Sequence, residues 1–134
     1  MKIIHIIAKV VLSLIFIMPI FGLLGLFPAP TRDLYNTDSA FAFIQFMTES
    51  AVYINYMMVG VFIVSLVALW TKREALAALL VSPITANIVG FHMFLDGGLF
   101  KSGAILALVL LVINIYLLYV NRDVLQNLLN KKSI

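Results

Sequence analysis

Few side chains in this sequence are able to exchange protons or bind a polar ligand, and most of them lie within apolar segments. His92 comes near the end of a long apolar run, and Asp96 follows it by four residues. Residues four apart share one face of a helix, so we expect a hydrogen bond between them that fixes the imidazole tautomer. Ionisable groups inside a membrane-length segment are functional candidates by default. His92 and Asp96 are therefore the candidate catalytic residues.

Two interpretations of the neighbouring polar residues stay open. In the structural one, the Asn87 amide compensates for Pro83, which cannot donate to the carbonyl four residues earlier. Asn55 then bonds across to a neighbouring helix, and Asp96 is a helix-end carboxylate. In the binding interpretation, one ligand site is formed by five side chains: Tyr53, Asn55, Asn87, His92 and Asp96.

The composition predicts that lipid is the main solvent of this chain. Of its 134 residues, 63% are hydrophobic and 11% are charged, whereas a soluble domain has about half and about a quarter. The length allows one domain. The net charge of +3 is better explained by membrane orientation than by nucleic acid, which we do not expect as a partner.

Several kinds of chemistry are excluded by residue type and spacing. The chain has no cysteine, which rules out disulfides, thiol relays, thiolate metal sites and covalent haem attachment. No nucleotide-binding loop, hydrolase triad or HExxH motif is present, and the acidic residues offer no two-carboxylate metal site. The two histidines, His5 and His92, are expected at opposite membrane faces, too far apart for one haem iron. We therefore expect no metal and no intrinsic cofactor.

Four apolar segments are long enough to cross a bilayer, which takes about 20 helical residues. They cover residues 4–27, 51–70, 75–95 and 102–120. The first is interpreted as a retained helix, because its apolar run exceeds the ~7–15 residues of a signal peptide and FPAPT lacks a small-x-small cleavage site. The chain is thus predicted to be an all-α, integral membrane four-helix bundle.

Two shorter helices are expected outside these spans. A short extra helix over residues 39–49, capped by Asp38 or Ser39, lies in the first outer loop, either in the membrane interface or over the bundle. A re-entrant segment is the alternative. The tail after residue 120 carries an apolar helical face and is expected to extend the fourth helix along the membrane surface.

The basic residues predict the orientation. Two of them, Arg32 and Lys101, fall on one side of the predicted spans, and seven fall on the other: Lys2, Lys9, Lys72, Arg73, Arg122, Lys131 and Lys132. The positive-inside rule then places both termini in the cytoplasm. At about 1.5 Å per residue, His92 and Asn55 come about 10 Å and about 8 Å outward of the midplane. The polar groups therefore converge in the outer half.

A stripe of small residues marks the third span. It consists of Ala78, Ser82, Ala86 and Gly90, which recur every fourth residue around Pro83. Small side chains let a neighbouring helix approach closely, which favours association in lipid. The stripe is expected to pack against another helix of the bundle, a partner subunit or a second copy of the chain.

The segment PITANIVGFHMFLD, on the third predicted helix, resembles the DoxX-like family of small membrane proteins. The first helix, LSLIFIMPIFGLLGLF, supports the resemblance. The resemblance implies a four-helix bundle, usually bacterial, and hence the inner cell membrane. It also implies a link to redox proteins, because some relatives belong to a thiosulfate–quinone oxidoreductase. The family pattern singles out Pro83, Asn87, His92 and Asp96. Many relatives carry an acid early in the second helix, where this chain has NYMMVG, which puts a proton-handling step there in doubt.

Three functions are predicted in order of preference, and whether the protein is an enzyme is left open. The first is an accessory subunit of membrane redox chemistry, with a quinone bound in the outer half of the bundle. The second is a non-catalytic assembly or partner-binding protein that uses the small-residue stripe. The third is a small-molecule permease.

Overall fold

The structure, a computed structural model, describes residues 2–101 and 103–130 without the side chain of Leu129, and its regular elements are all helical over that part of the chain. A 3₁₀ turn, Arg32–Leu34, precedes the second helix, and the fourth continues into a π-helical turn, Phe91–Leu95. The α-helices are α1 (Lys2–Leu23), α2 (Asp38–Glu49), α3 (Val52–Trp70), α4 (Glu74–Gly90), α5 (Ala104–Val120) and α6 (Arg122–Leu129).

By length and composition, three helical segments qualify as membrane spans, and a fourth is possible. The three are α1, α3 and the continuous segment Glu74–Leu95. The fourth combines α5 with α6, which bends away from it by 68°. The predicted all-helical class is confirmed, and the chain has the helices of a multi-pass membrane protein. The tail forms a helix of its own, which is not a straight continuation of α5.

α1 ends at Leu23, four residues before the predicted boundary at residue 27, and Gly25 closes the helix end. Gly25 has a φ of 74°, in the left-handed region. Its N–H donates to the Gly22 carbonyl and the Leu26 N–H donates to the Phe21 carbonyl, both at 3.0 Å. These two bonds close the helix end in the Schellman pattern, which pairs carbonyls that would otherwise lack donors.

The other helix boundaries differ slightly from the prediction. The cap of α2 is Thr37, whose hydroxyl accepts from the Ala40 N–H at 3.1 Å, so the prediction of Asp38 or Ser39 was wrong. Thr37 has the extended backbone of a cap residue, whereas Asp38 already belongs to the first turn. Ser102, the predicted start of the fourth span, lies outside the described residues, as do the basic Lys131 and Lys132.

The core lies where α1, α3, α4 and α5 meet. Phe16 of α1 stacks on Phe62 of α3 with ring centroids 5.2 Å apart, and both are buried beside Leu110 of α5. Asn114 of α5 is also buried; its amide donates to the Ala78 carbonyl at 3.0 Å and its oxygen accepts from Ser82. Asn114 therefore joins α4 to α5, in agreement with the packing role that its position within the fourth span predicts.

Only the inner half of the small-residue stripe packs against another helix of the chain. Ala78 is fully buried and Ser82 contacts α5, whereas Ala86 is exposed and open space surrounds Gly90. The reason is geometric: a spacing of four advances about 40° around a helix, so three steps turn the stripe about 120° away. The buried face instead passes through Thr85. The prediction of one continuous packing stripe was wrong within the chain.

A charged cluster joins the beginning of α1 to the beginning of α4. The Glu74 carboxylate accepts from Lys9 Nζ at 2.8 Å and pairs with His5 Nε2 at 2.7 Å. Lys9 also lies over the Trp70 ring, 4.9 Å from its centroid. The pairing side chains are only 13–25% exposed. The cluster therefore holds the end of the bundle that the basic residues predict to be cytoplasmic.

Replacing Glu74 with glutamine is expected to lower the free energy of unfolding by about 1–2 kcal/mol, because Lys9 loses its counter-charge and His5 loses a charged hydrogen-bond partner in a half-buried setting. Thermal melting of the purified protein in a mild detergent measures the loss. Glu49→Gln is the matched control, since Glu49 is exposed and bonds only to Gln45 within its own helix. Equal melting temperatures for the two variants would contradict the prediction.

Candidate functional site

A large cavity lies between α2, α3 and α4. It has a volume of about 710 Å³, within the ~300–1,000 Å³ of small-molecule sites. Its lining is mainly aromatic and aliphatic, with four polar side chains: Thr48, Asn55, Asn87 and His92. We call this cavity the main chamber. Apolar walls with a few polar groups are typical of sites that bind amphiphilic ligands.

A π-helical turn sets the position of His92 at the end of α4. The turn covers Phe91–Leu95, and the Asp96 N–H donates to the Phe91 carbonyl at 3.0 Å. Gly97 and Gly98 follow with φ values of 85° and 115°, and Gly98 N–H donates to the His92 carbonyl at 2.8 Å. Because only glycine adopts these angles without strain, the chain reverses directly after Asp96. π-Helical turns are frequent at functional sites.

Asp96 is the buried anchor of the imidazole. Its side chain is 2% exposed, and one carboxylate oxygen lies 3.0 Å from His92 Nδ1. The other oxygen accepts from the Asn36 N–H at 2.8 Å. The predicted contact between His92 and Asp96 is thus present, but Asp96 lies behind the ring and does not line the main chamber.

The loop before α2 holds this anchor in place. The Thr37 hydroxyl donates to the Leu95 carbonyl and caps α2 at the same time. Burial raises the pKa of the Tyr35 phenol, and the nearby Asp96 carboxylate raises it further. Tyr35 therefore stays protonated at neutral pH and adds no second negative charge beside Asp96.

These contacts determine which nitrogen of the His92 ring carries the proton. A carboxylate accepts only, so Nδ1 carries the proton that points to Asp96. Among the described residues, nothing hydrogen-bonds to Nε2. In the neutral ring Nε2 accepts a hydrogen bond, and in the protonated ring it donates one. His92 can therefore bind either a hydroxyl or a carbonyl group of a ligand.

Gly103 closes the site on the side of α5. A Cβ at this position would lie 3.1 Å from His92 Cε1 and 3.5 Å from Asp96 Oδ2. The first distance is tighter than ordinary packing, so a side chain here would displace the imidazole. The absence of a side chain at Gly103 thus helps to orient the ring.

The two amides and the tyrosine of the predicted site have different environments. Asn55 lines the main chamber, and its amide donates to the Met47 carbonyl at 2.9 Å, so it also joins α3 to α2. Asn87 lines the chamber, and its side-chain amide makes no hydrogen bond to the described residues, including the carbonyl that Pro83 leaves free. Tyr53 is 65% exposed and lies apart, because two residues before Asn55 is about 200° around the helix. Its inclusion in the site was wrong.

Sequence reasoning missed the residues that hold the site from a distance. Asn36 and Thr37 contact residues 60 and 58 positions later, and no local pattern indicates such pairs. The sequence Gly97–Gly98 was the one local indication of these contacts, because a turn there directs Asp96 toward the loop before α2. Comparisons of the chain with protein-family models, curated proteins and solved structures found no match. Membership of the DoxX-like family stays a prediction.

Proposed function

We propose that this protein is a DoxX-like accessory subunit of membrane redox chemistry that binds a quinone or a quinone-like amphiphile in the main chamber. One observation carries the proposal: an apolar chamber of about 710 Å³ contains an imidazole held by a buried carboxylate. Apolar walls suit a hydrophobic ring, and the few polar groups suit its oxygen atoms.

The proposed setting is the bacterial inner membrane, with four spans and both termini in the cytoplasm. Three segments qualify as spans, and in this proposal α5 with the bent α6 is taken as the fourth. The excess of Lys and Arg on one side supports the orientation. His5, Lys9 and Glu74 then lie at the cytoplasmic end, and the main chamber lies in the outer half.

The side chains of the chamber match the two redox forms of a quinone. A quinone carbonyl accepts hydrogen bonds, which the Asn87 amide and a protonated His92 donate. A quinol hydroxyl donates to neutral His92 Nε2. Phe43 and Phe91, whose rings pack 5.7 Å apart, offer aromatic surface to the ligand ring. Interconversion of quinone and quinol moves two electrons and two protons: His92 exchanges one proton with the ligand, the second is exchanged with water at the outer interface, and a redox partner subunit carries both electrons.

A second candidate function is favoured by the uncovered half of the small-residue stripe. Ala86 is exposed, and Gly90 has open space around it. A helix of a partner subunit or of a second copy could approach closely at these positions. In that case the protein is a non-catalytic assembly factor, and the polar chamber is secondary.

Purification from membranes in a mild detergent distinguishes the two functions. If the main chamber binds a quinone, solvent extraction of the purified protein yields a ligand that absorbs in the ultraviolet, at about one per chain. An unrelated multi-pass protein purified from the same membranes is the control for lipid carry-over. A stoichiometric partner without a ligand supports the assembly function. A protein that yields no ligand and does not saturably bind an added short-chain quinone would overturn the proposal.

A further inference from the structure

A second, smaller cavity lies on the other side of His92, between α1, α3 and α5. Its volume is about 220 Å³, and we call it the annex. Apart from His92 and Gly103, its lining is apolar, with buried walls formed by Ile15, Phe62, Ala107 and Leu110. Apolar cavities of this kind stay dry and take apolar guests; one of about 150 Å³ lined by Leu, Ile and Phe binds benzene.

Three side chains form a common wall between the annex and the main chamber. They are Met58, Ile88 and His92, each of which lines both cavities. Methionine is unbranched and adaptable, so Met58 can change rotamer at low cost. A ligand whose polar group contacts His92 therefore lies next to the annex, and Met58 is the side chain of the common wall that can move aside to admit a tail.

The annex opens toward the outside of the bundle between α1 and α5. Two of its lining residues are half-exposed: Met18 of α1 at 49% and Leu106 of α5 at 47%. In a bilayer these side chains face lipid. A hydrocarbon chain that passes through the annex can thus continue into the acyl region without leaving an apolar environment.

A third cavity, of about 470 Å³, also adjoins Met58 and is the competing route. It lies beneath the Phe27–Pro30 segment, and three polar side chains line it: Thr48, Asn55 and Tyr56. An apolar tail in this third cavity would cover the polar groups of Thr48, Asn55 and Tyr56 without hydrogen-bonding to them, a cost that the mainly apolar annex lining avoids. The lining therefore favours the annex for an apolar chain.

We propose that the annex binds the hydrocarbon tail of the ligand whose polar ring occupies the main chamber. This inference rests on the proposed function and adds the substrate class: a ring compound that carries an apolar tail. A tail-less ring compound fills only the main chamber. Inside a bilayer the gain comes from close van der Waals contact between the tail and the fixed walls of the annex, so the site selects tailed ligands.

Ala107→Leu tests the inference, because the larger side chain fills the annex from α5. Binding of a decyl-tailed quinone and of its tail-less analogue is measured in lipid nanodiscs. The variant is expected to bind the tailed quinone about tenfold more weakly, because the added side chain overlaps the space that the tail would fill, and to bind the tail-less analogue within about twofold of the unmodified protein. Ala42→Leu is the matched control: Ala42 is exposed on α2 and lines none of the three cavities.

The outcomes separate this inference from the proposed function. Equal losses of affinity for both ligands, or no loss for either, would contradict binding of the tail in the annex but not binding of a quinone in the main chamber. If the unmodified protein binds neither quinone, the proposed function is wrong, and so is the proposed binding of a tail in the annex.

A second measurement needs no variant. A quinone with a diazirine at the end of its tail is expected to label α1 and α5 peptides around Met18 and Leu106. Labelling confined to the Phe27–Pro30 segment, or spread over lipid-facing side chains such as Val64, would overturn the annex.

Discussion

Replacing His92 with alanine is expected to weaken binding of the quinone-like ligand about 10- to 100-fold. The substitution removes the hydrogen bond to Nε2 and leaves a ligand oxygen without a partner among apolar walls. Such a loss is worth about 1–3 kcal/mol, and about 1.4 kcal/mol is a factor of ten in affinity. Titration of a short-chain quinone into the protein in lipid nanodiscs measures the effect.

The chain offers a matched control in His5, its only other histidine. His5 pairs with Glu74 at the opposite end of the bundle, so His5→Ala is expected to leave the affinity unchanged within about twofold, since the pair does not touch the ligand. His92→Gln keeps a polar group near Nε2 and is expected to recover part of the binding. Full affinity in His92→Ala, or equal losses in both alanine variants, would contradict the proposed role of His92.

The helices could be predicted from the sequence because their signal is local. An apolar run of about 20 residues between polar segments is a membrane span wherever its neighbours lie. The contact between His92 and Asp96 is local too, because residues four apart stay close even in a π-helical turn. These inferences required only the length and spacing of residues along one helix.

The rest of the site depends on contacts that cross the fold. The Asn36 N–H reaches Asp96 only because the loop before α2 folds over the end of α4. Burial of Asp96 follows from that contact, and sequence spacing predicts only a helix-end carboxylate. The prediction that Tyr53 belongs to the site was wrong for a different reason: the expected depth of Tyr53 in the membrane fits the site, but its side chain lies on another face of α3.

The cluster around Glu74 could have been found from the sequence. His5 and Lys9 are four apart on one face of α1, and the charge rule places them on the same membrane side as Glu74. An acid at the start of an apolar span then has a lysine and a histidine within reach. Orientation and helix periodicity together predict this cluster, although neither does so alone.

Replacing Asp96 with alanine is expected to lower the free energy of unfolding by about 2–4 kcal/mol. The substitution leaves the Asn36 N–H and the His92 Nδ1–H without acceptors in a buried setting, and each unpaired group costs about 1–3 kcal/mol. Thermal or denaturant unfolding in detergent measures the loss. Asp38→Ala is the matched control, because Asp38 is exposed and, among the described residues, pairs only with Arg32. A loss no larger than that of the control would contradict the anchoring role of Asp96.

Asp96→Asn separates a positioning role from a purely structural one. The asparagine oxygen can still accept from Asn36, so its amide nitrogen faces His92 Nδ1. A donor there requires a lone pair on Nδ1, and the neutral ring then carries its proton on Nε2. Nitrogen-15 NMR of histidine-labelled protein is expected to show this switch for His92 and not for His5.

The switch also changes which ligand form is preferred. With its proton on Nε2, neutral His92 donates to a quinone carbonyl and no longer accepts from a quinol hydroxyl. The ratio of quinone to quinol affinity is therefore expected to rise about tenfold, the worth of about one hydrogen bond. A loss of stability alone moves both affinities together. If His92 keeps its Nδ1 proton and the ratio is unchanged, Asp96 supports the fold but does not set the chemistry of the ring.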